Sequence, residues 1–325
     1  MSRHYDIVDR SLTIKDQIMN NYYLKSAVLC GFALLGTVLT LSSCSDSEEV
    51  MNLEELKTSN LVPVSVHVSE FSFSMEELPG TRSAVAPGSY NYFDGEITLA
   101  FYDGDTEVYT DTQLESDAST YTTFGDFICE LPVGTYTMVV VCRDVGDDDV
   151  FTLTSPTLAG YSSERVRETF AATQNVTVTG TSALNIPVTL NRVITLLTIN
   201  STDVRPEGVS KIRTTYGAGG KSFNPSTGLA TTNTGFSLTN TPSAVVGQVI
   251  GVRNYAFLAT DEQTMDITLE VLGANDQVII SKTIPNVPFK RNRQTKLTGP
   301  VFTPSATTAS FTLETSWIST YEFSF

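Results

Sequence analysis

Imidazoles, carboxylates and thiols are the groups in this 325-residue sequence that could do chemistry. Its two histidines are His4, near the start, and His67, inside a run of alternating valines. A Ser–His–Asp triad, a His-rich zinc site or a histidine general base needs more partners than that. His67 therefore reads as a solvent-facing strand residue. Glycoside hydrolysis needs two carboxyl groups within roughly 5–10 Å. The chain has many acidic residues, so such pairs will arise by chance, but none stands in a distinctive motif. Trp317 is the single tryptophan, which leaves few aromatic platforms for a sugar-cleaving cleft. Asp103-Gly104-Asp105-Thr106-Glu107 and Asp144-Val145-Gly146-Asp147-Asp148-Asp149 offer oxygens that a calcium ion accepts. Neither has the spacing of a helix–loop–helix calcium site, and both read as solvated turns. The sequence is accordingly that of a non-enzyme, with no cofactor and no metal site.

The thiols say more. The 4 cysteines are Cys30, Cys44, Cys129 and Cys142. Ala27 to Leu41 is an apolar stretch of signal-sequence length, too short to span a bilayer, and Lys25 supplies a positive charge before it. It ends in Leu41-Ser42-Ser43-Cys44, which resembles a bacterial lipoprotein processing box. The expected outcome is removal of residues 1–43 as a signal peptide, attachment of lipid to the Cys44 thiol, with palmitate among the lipid chains, and anchorage to the outer membrane. Met19 gives a neater signal-peptide start than Met1. Residues 44–60 then form an acidic tether. Its Asp46, Glu48 and Glu49 resemble the outer-surface export signal of Bacteroidota lipoproteins, or are simply a solvated linker. Cys129 and Cys142 flank Leu131-Pro132-Val133-Gly134, which reads as a hairpin turn that would not place them opposite each other. Two buried free thiols are expected rather than a disulfide.

Charge is unevenly divided. Residues 44–190 hold five basic and 24 acidic residues, whereas 191–325 hold 11 and nine. An acidic half joined to a near-neutral one argues against a nucleic-acid partner. It suits head-to-tail contact between copies, or merely solubility. The compact basic cluster Lys290, Arg291, Arg293 and Lys296 is a candidate subunit contact, or an exposed turn.

The elements that must position these groups are strands. Hydrophobic residues make up 41% of the chain and charged residues 17%, enough apolar content for a packed core. Val62, Val64, Val66 and Val68 alternate with polar residues, and Phe71 and Phe73 continue on the other parity. A change of parity inside one strand predicts a bulge near Ser69-Glu70. Met265, Ile267, Leu269 and Val271 alternate cleanly, and Met138 to Val141 reads as buried on both faces. Turn signals recur every 8–12 residues or so, the spacing of sandwiches and barrels. Only Glu164 to Phe170 hints at a helical period. The predicted class is all-β, with an N-terminal β-sandwich domain over 61–190 and a C-terminal one over 191–325.

The order of several motifs resembles the fimbrillins of Bacteroidales, subunits of type V pili, and their lipoprotein anchor relatives. Carrying the likeness are the box at Cys44, Thr81-Arg82-Ser83-Ala84 after a first strand, and Leu131-Pro132-Val133-Gly134-Thr135-Tyr136 before a Val-rich strand. Leu190-Asn191-Arg192-Val193 and Asn286-Val287-Pro288-Phe289-Lys290-Arg291-Asn292-Arg293-Gln294-Thr295-Lys296-Leu297-Thr298-Gly299 complete it. The resemblance implies two transthyretin-like sandwiches and a fimbrial subunit at the cell surface that serves adhesion. It implies cleavage between Arg82 and Ser83, release of the first strand, and refilling of its groove by a terminal strand of another fimbrial subunit. The candidate donor strand contains Phe311, Leu313, Trp317, Tyr321, Phe323 and Phe325, and could equally be the closing strand of the second sandwich. The alternatives are an uncleaved pilus anchor, or a surface-tethered lipoprotein holding glycan, host protein or a bacterial surface ligand.

Overall fold

The computed structural model describes residues 61–72, 95–146, 149–180, 182–242, 244–304 and 312–317. In chain order the strands are β1 (Leu61–Ser72), β2 (Gly95–Asp103), β3 (Thr106–Leu114), β4 (Asp126–Pro132), β5 (Gly134–Asp144), β6 (Phe151–Ser155) and β7 (Leu158–Tyr161). Then come β8 (Thr169–Val178), β9 (Leu184–Arg192), β10 (Thr195–Ser201), β11 (Lys211–Tyr216), β12 (Ser222–Asn224), β13 (Leu229–Ala230) and β14 (Phe236–Asn240). The last are β15 (Gly251–Ala256), β16 (Glu262–Leu272), β17 (Val278–Lys290), β18 (Arg293–Gly299) and β19 (Thr312–Trp317). One 3-10 turn, Ala274–Asp276, interrupts them, and no α-helix occurs among the described residues. The chain is all-β, as its alternation predicts.

The first half is a seven-stranded sheet in the order β3-β2-β5-β8-β9-β1-β4. β8 and β9 share two residue pairs, Phe170↔Arg192 and Ala171↔Asn191. At this short seam the sheet folds over, so that β2, β5 and β8 face β9, β1 and β4. Val62, Val64, Val66 and Val68 of β1 pack in one core with Leu99, Phe101, Met138, Val140 and Leu190. Each of the four valines is at most 1% exposed.

A second core covers the outer face of β2 and β5. Val139 and Val141 point into it, so Met138 to Cys142 is buried on both faces as expected. The cover is the sheet β13-β12-β7-β6 together with Val193, Ile194 and Leu196. That sheet joins strands from either side of residue 190. Phe223 and Phe257 stack there with ring centroids 4.5 Å apart. The third core lies between the sheets β15-β10-β18-β19 and β14-β11-β16-β17.

Two local expectations need correction, and one strand has no expectation behind it. Leu131-Pro132-Val133-Gly134 does not close a hairpin. β4 pairs with β1, while β5 pairs with β2 and β8, so the turn is a corner that carries the chain from one layer to the other. The Tyr136 hydroxyl donates to the Pro132 carbonyl at 2.9 Å and fastens this corner. Residues 164–168 are not helical. Val166 is buried between exposed Arg165 and half-buried Arg167, and Glu168, Thr169 and Phe170 are all buried as the chain enters β8. β3 was not anticipated, because it is a polar edge strand bonded on one side to β2 and lacks an apolar face.

The energetics of the first core give a direct test. Val66→Ala removes two fully buried methyl groups and should cost about 2 kcal/mol in denaturant unfolding. Ile128→Ser, at a position 79% exposed on β4, should change stability by less than about 0.5 kcal/mol.

Candidate functional site

β1 is an interior strand held from both sides. It runs antiparallel to β4 from Leu61↔Pro132 to His67↔Asp126, and parallel to β9 from Val64↔Leu184 to Ser72↔Asn191. The β9 register slips between Val68 and Glu70, the bulge that the parity change predicts. Val68 also donates its N–H to the Gly125 carbonyl at 3.0 Å. Gly125 has φ +90, and a Cβ there would stand 3.1 Å from the Val68 oxygen. His67 is exposed, as its place in the alternation implies, but it has a partner. Its Nδ1 meets Asp126 Oδ1 across the β1–β4 ladder. Only the register could have paired two residues 59 positions apart.

Burying one valine is worth about 1.5–3 kcal/mol. Four of them approach the whole net stability of a domain, about 5–15 kcal/mol. Loss of β1 would also open the facing edges of β4 and β9, which would then need a new partner. β1 joins the remainder through residues 73–94, which contain Arg82 and Ser83. These two residues, like Cys44, lie outside the described residues.

β19 occupies the edge of its sheet, antiparallel to β18, with Leu313 opposite Leu297 and Trp317 opposite Arg293. Within one chain it closes that sheet. Phe311, Tyr321, Phe323 and Phe325 lie outside the described residues.

The basic cluster is divided by the β17–β18 turn. Lys290 Nζ reaches Glu262 Oε1 at 2.7 Å, and Arg291 Nη2 reaches Asp261 Oδ1 at 2.7 Å. Arg291 Nη1 also donates to the Thr227 carbonyl at 2.7 Å. Arg293 and Lys296 lie on β18, and Lys296 is in register with Glu314 of β19. The sequence located the cations but not the acids that answer two of them, because Asp261 and Glu262 come from the start of β16 and the bend before it.

Lys290, Arg291 and their partners Glu262 and Asp261 border a cleft of about 990 Å³. It opens where β8 and β9 part beyond their seam, and its other wall is the turn 225–228 with residues 261–262 and 290–292. Gly228 makes the close approach possible. Its φ is +70, and a Cβ would come within 2.6 Å of Arg291 Nη1 and 2.8 Å of Val193 Cγ1. At the base, buried Arg192 binds buried Glu168 through Nη2 at 2.7 Å and donates from Nη1 to Asn292 Oδ1 at 2.8 Å. The Arg192 guanidinium also sits 4.9 Å from the centre of the Phe170 ring. Asn292, in a left-handed conformation at φ +57, donates its backbone N–H to the Ile194 carbonyl at 2.8 Å. Burial pushes the Glu168 carboxyl up, and the Arg192 charge pulls it back without cancelling the rise.

At the far end of the second half, Asp203 clamps the end of β18. Its Oδ1 accepts the Val301 N–H at 2.7 Å, and its Oδ2 accepts the N–H groups of Phe302 and Thr303 at 2.8 and 2.7 Å. Burial raises this carboxyl, but these bonds and the Thr303 hydroxyl outweigh it and hold the pKa below the usual value.

Cys129 and Cys142 are both buried and free, as expected. Burial, with the Asp111 charge second, pushes the Cys129 thiol up to about 11, and burial raises Cys142 as well. Neither is a reactive thiolate at neutral pH. Asp149 is engaged by Arg167, Nε to Oδ2 at 2.5 Å, and Gly104 at φ +61 makes the Asp103 loop a tight turn. Among the described residues, no three His, Cys, Asp or Glu side chains gather as metal ligands, and no helix is long and apolar enough to cross a membrane.

A family model described as a family of unknown function, DUF6562, matches residues 63–318. Among solved structures, the chain is similar to the fimbrial anchor protein Mfa2 from Porphyromonas gingivalis. Identity is 10%, the match covers 79% of this chain and 98% of that one, and the TM-score is 0.45. It is also similar to a "putative adhesin" from Bacteroides ovatus, at 11% identity over 76% of this chain and 88% of that one, with a TM-score of 0.46. No curated protein sequence matches it.

Two substitutions probe these electrostatics. Arg192→Met leaves Glu168 buried without its countercharge and should cost roughly 3–5 kcal/mol at pH 7. A carboxyl raised in the folded state contributes stability below its unfolded pKa and loses it as pH rises through the folded value. Thermal unfolding should therefore show a smaller defect for Arg192→Met at pH 5 than at pH 8. Asp203 has the opposite sign. Its contribution is present above the ordinary value of 3.8 and fades as pH falls through the lowered one. Asp203→Ala should cost about 2 kcal/mol at pH 7, and the difference from wild type should shrink in acid.

Proposed function

We propose that this chain, which belongs to the family of unknown function DUF6562, is a fimbrial subunit exported as an outer-membrane lipoprotein and assembled by exchange of a β-strand. The observation that carries the reading is the place of β1. It is buried between β4 and β9, yet one cut in residues 73–94 separates it covalently from every other described strand. Arg82 is the only arginine between Cys44 and Arg143, so a protease specific for arginine has one target there.

In this reading Cys44 carries the lipid and tethers the chain to the outer membrane at the cell surface. Cleavage after Arg82 frees β1. The slot it leaves has an apolar floor and two open strand edges, which a strand supplied by another fimbrial subunit fills by β-augmentation. Leu313 and Trp317 of β19, with the aromatic residues beyond, are the donor candidates. The cluster from Lys290 to Lys296 is a candidate contact with a neighbour's acidic half, made chiefly by Arg293 and Lys296 because Lys290 and Arg291 already hold Glu262 and Asp261. The fibre serves adhesion, and no catalytic role is assigned.

Two measurements test this. The purified chain, treated with a low dose of trypsin, should give a new N-terminus at Ser83 and a ladder of oligomers. An Arg82→Ala chain should stay intact and monomeric. Oligomers from the Arg82→Ala chain, or monomers alone after cleavage, would overturn strand exchange. In cells, labelled palmitate should enter the wild-type chain and be lost from Cys44→Ala; incorporation into that variant would refute the lipid site. The N-terminal residue of the cellular protein assigns its place, lipidated Cys44 marking an anchor or precursor and Ser83 a processed subunit.

A further inference from the structure

The cleft between β8, β9 and the β17–β18 turn has a definite chemical character. Each cation on its wall is already answered. Arg192 has Glu168, Lys290 has Glu262 and Arg291 has Asp261, each at 2.7 Å. A phosphate, sulfate or carboxylate ligand would have to break one of these pairs, so the cleft does not select for anions. Among the described residues, no Phe, Tyr or Trp lines it. A planar apolar ligand or a nucleobase therefore finds no ring to stack on.

Amides and hydroxyls remain. Gln174, Thr189, Asn191 and Ser226 all line the cleft, and all are exposed. Each both donates and accepts hydrogen bonds. Asp261 and Glu262 are largely exposed and engage their cations through one oxygen each, which leaves the other to accept. A ligand that matches this set is neutral, carries many groups that donate and accept together, and is held through those groups rather than by stacking on a ring. A sugar with adjacent hydroxyls fits that description. The volume, about 990 Å³, lies at the upper end of ordinary ligand clefts and leaves room for more than one ring. Part of the wall is also set in advance. Arg192 is locked by Glu168, Asn292 and the Phe170 ring, and Arg291 by Asp261 and the Thr227 carbonyl, so binding need not order them.

We propose that this cleft binds a neutral oligosaccharide, with Gln174 and Asn191 from the β8–β9 wall and Asp261 and Glu262 from the opposite wall as its polar contacts. The site lies within one chain and does not depend on cleavage or strand exchange.

The test uses the intact chain with Arg82 uncut. It is screened on an array of neutral oligosaccharides of three to five sugars, beside sialylated and sulfated ones, and the neutral hits are titrated by calorimetry. Neutral sugars should be retained, and Gln174→Ala/Asn191→Ala should bind them at least tenfold more weakly with an unchanged Tm. Ser226→Trp, at an exposed turn position, should block the cleft by bulk and serves if the double variant unfolds. Retention of sialylated or sulfated sugars only, retention of none, or full neutral-sugar binding by a folded variant would each overturn the proposal. Because the trypsin experiment reads oligomers and this one reads sugar binding by monomers, the two proposals fail separately.

Discussion

Four valines at alternate positions of β1 fill the space between the two layers of the first half, and the surrounding strands are arranged so that they can. β4 and β9 supply ladders on either side, one antiparallel and one parallel. A parallel neighbour cannot come from a hairpin, so β9 must return across the fold from far along the chain. The short β8–β9 seam follows from the same requirement. β8 belongs to the β5 layer and β9 to the β1 layer, and they touch only where the sheet turns over. Beyond that seam the strands part, and the parting creates the cleft.

The halves are joined by packing as well as by chain. Val139 and Val141 show why. β5 buries both faces, one toward β1 and one toward Val193, Ile194 and Leu196. The antiparallel sheet of β6, β7, β12 and β13 seals the second face with strands from both halves. The Arg192–Glu168 pair lies beside this contact, with Asn292 as its third member. An ion pair so deeply buried adds little over an apolar substitute, but its geometry sets where the β17–β18 turn must sit. That turn carries Lys290 and Arg291, so core and cleft are linked through it.

Legibility in the sequence varied with the physics. The β1 and β16 patterns could be read because each strand has one buried face and one wet face. The bulge at Val68–Glu70 was visible because a parity change has no other economical explanation in a strand. β3 was invisible because an exposed edge strand needs no apolar face. The corner at Leu131–Gly134 reads as a hairpin because Pro and Gly between two strands mark a reversal without stating which strands then pair. The same limit hid the partner of His67 and the acids opposite Lys290 and Arg291, since strand register between distant segments leaves no local mark.

By itself the sequence determined the all-β class, the core face of the principal strands, the burial of two unpaired thiols and the position of the basic cluster. Those properties depend on period, composition and local spacing. Only the tertiary structure decided that β1 is an interior strand, that β5 is shared between two cores, and that the cations at the cleft are matched one by one with acids. Each of these is a pairing between segments tens to a hundred residues apart. Such pairings are chosen by the packing of the whole chain, because no short stretch contains both partners.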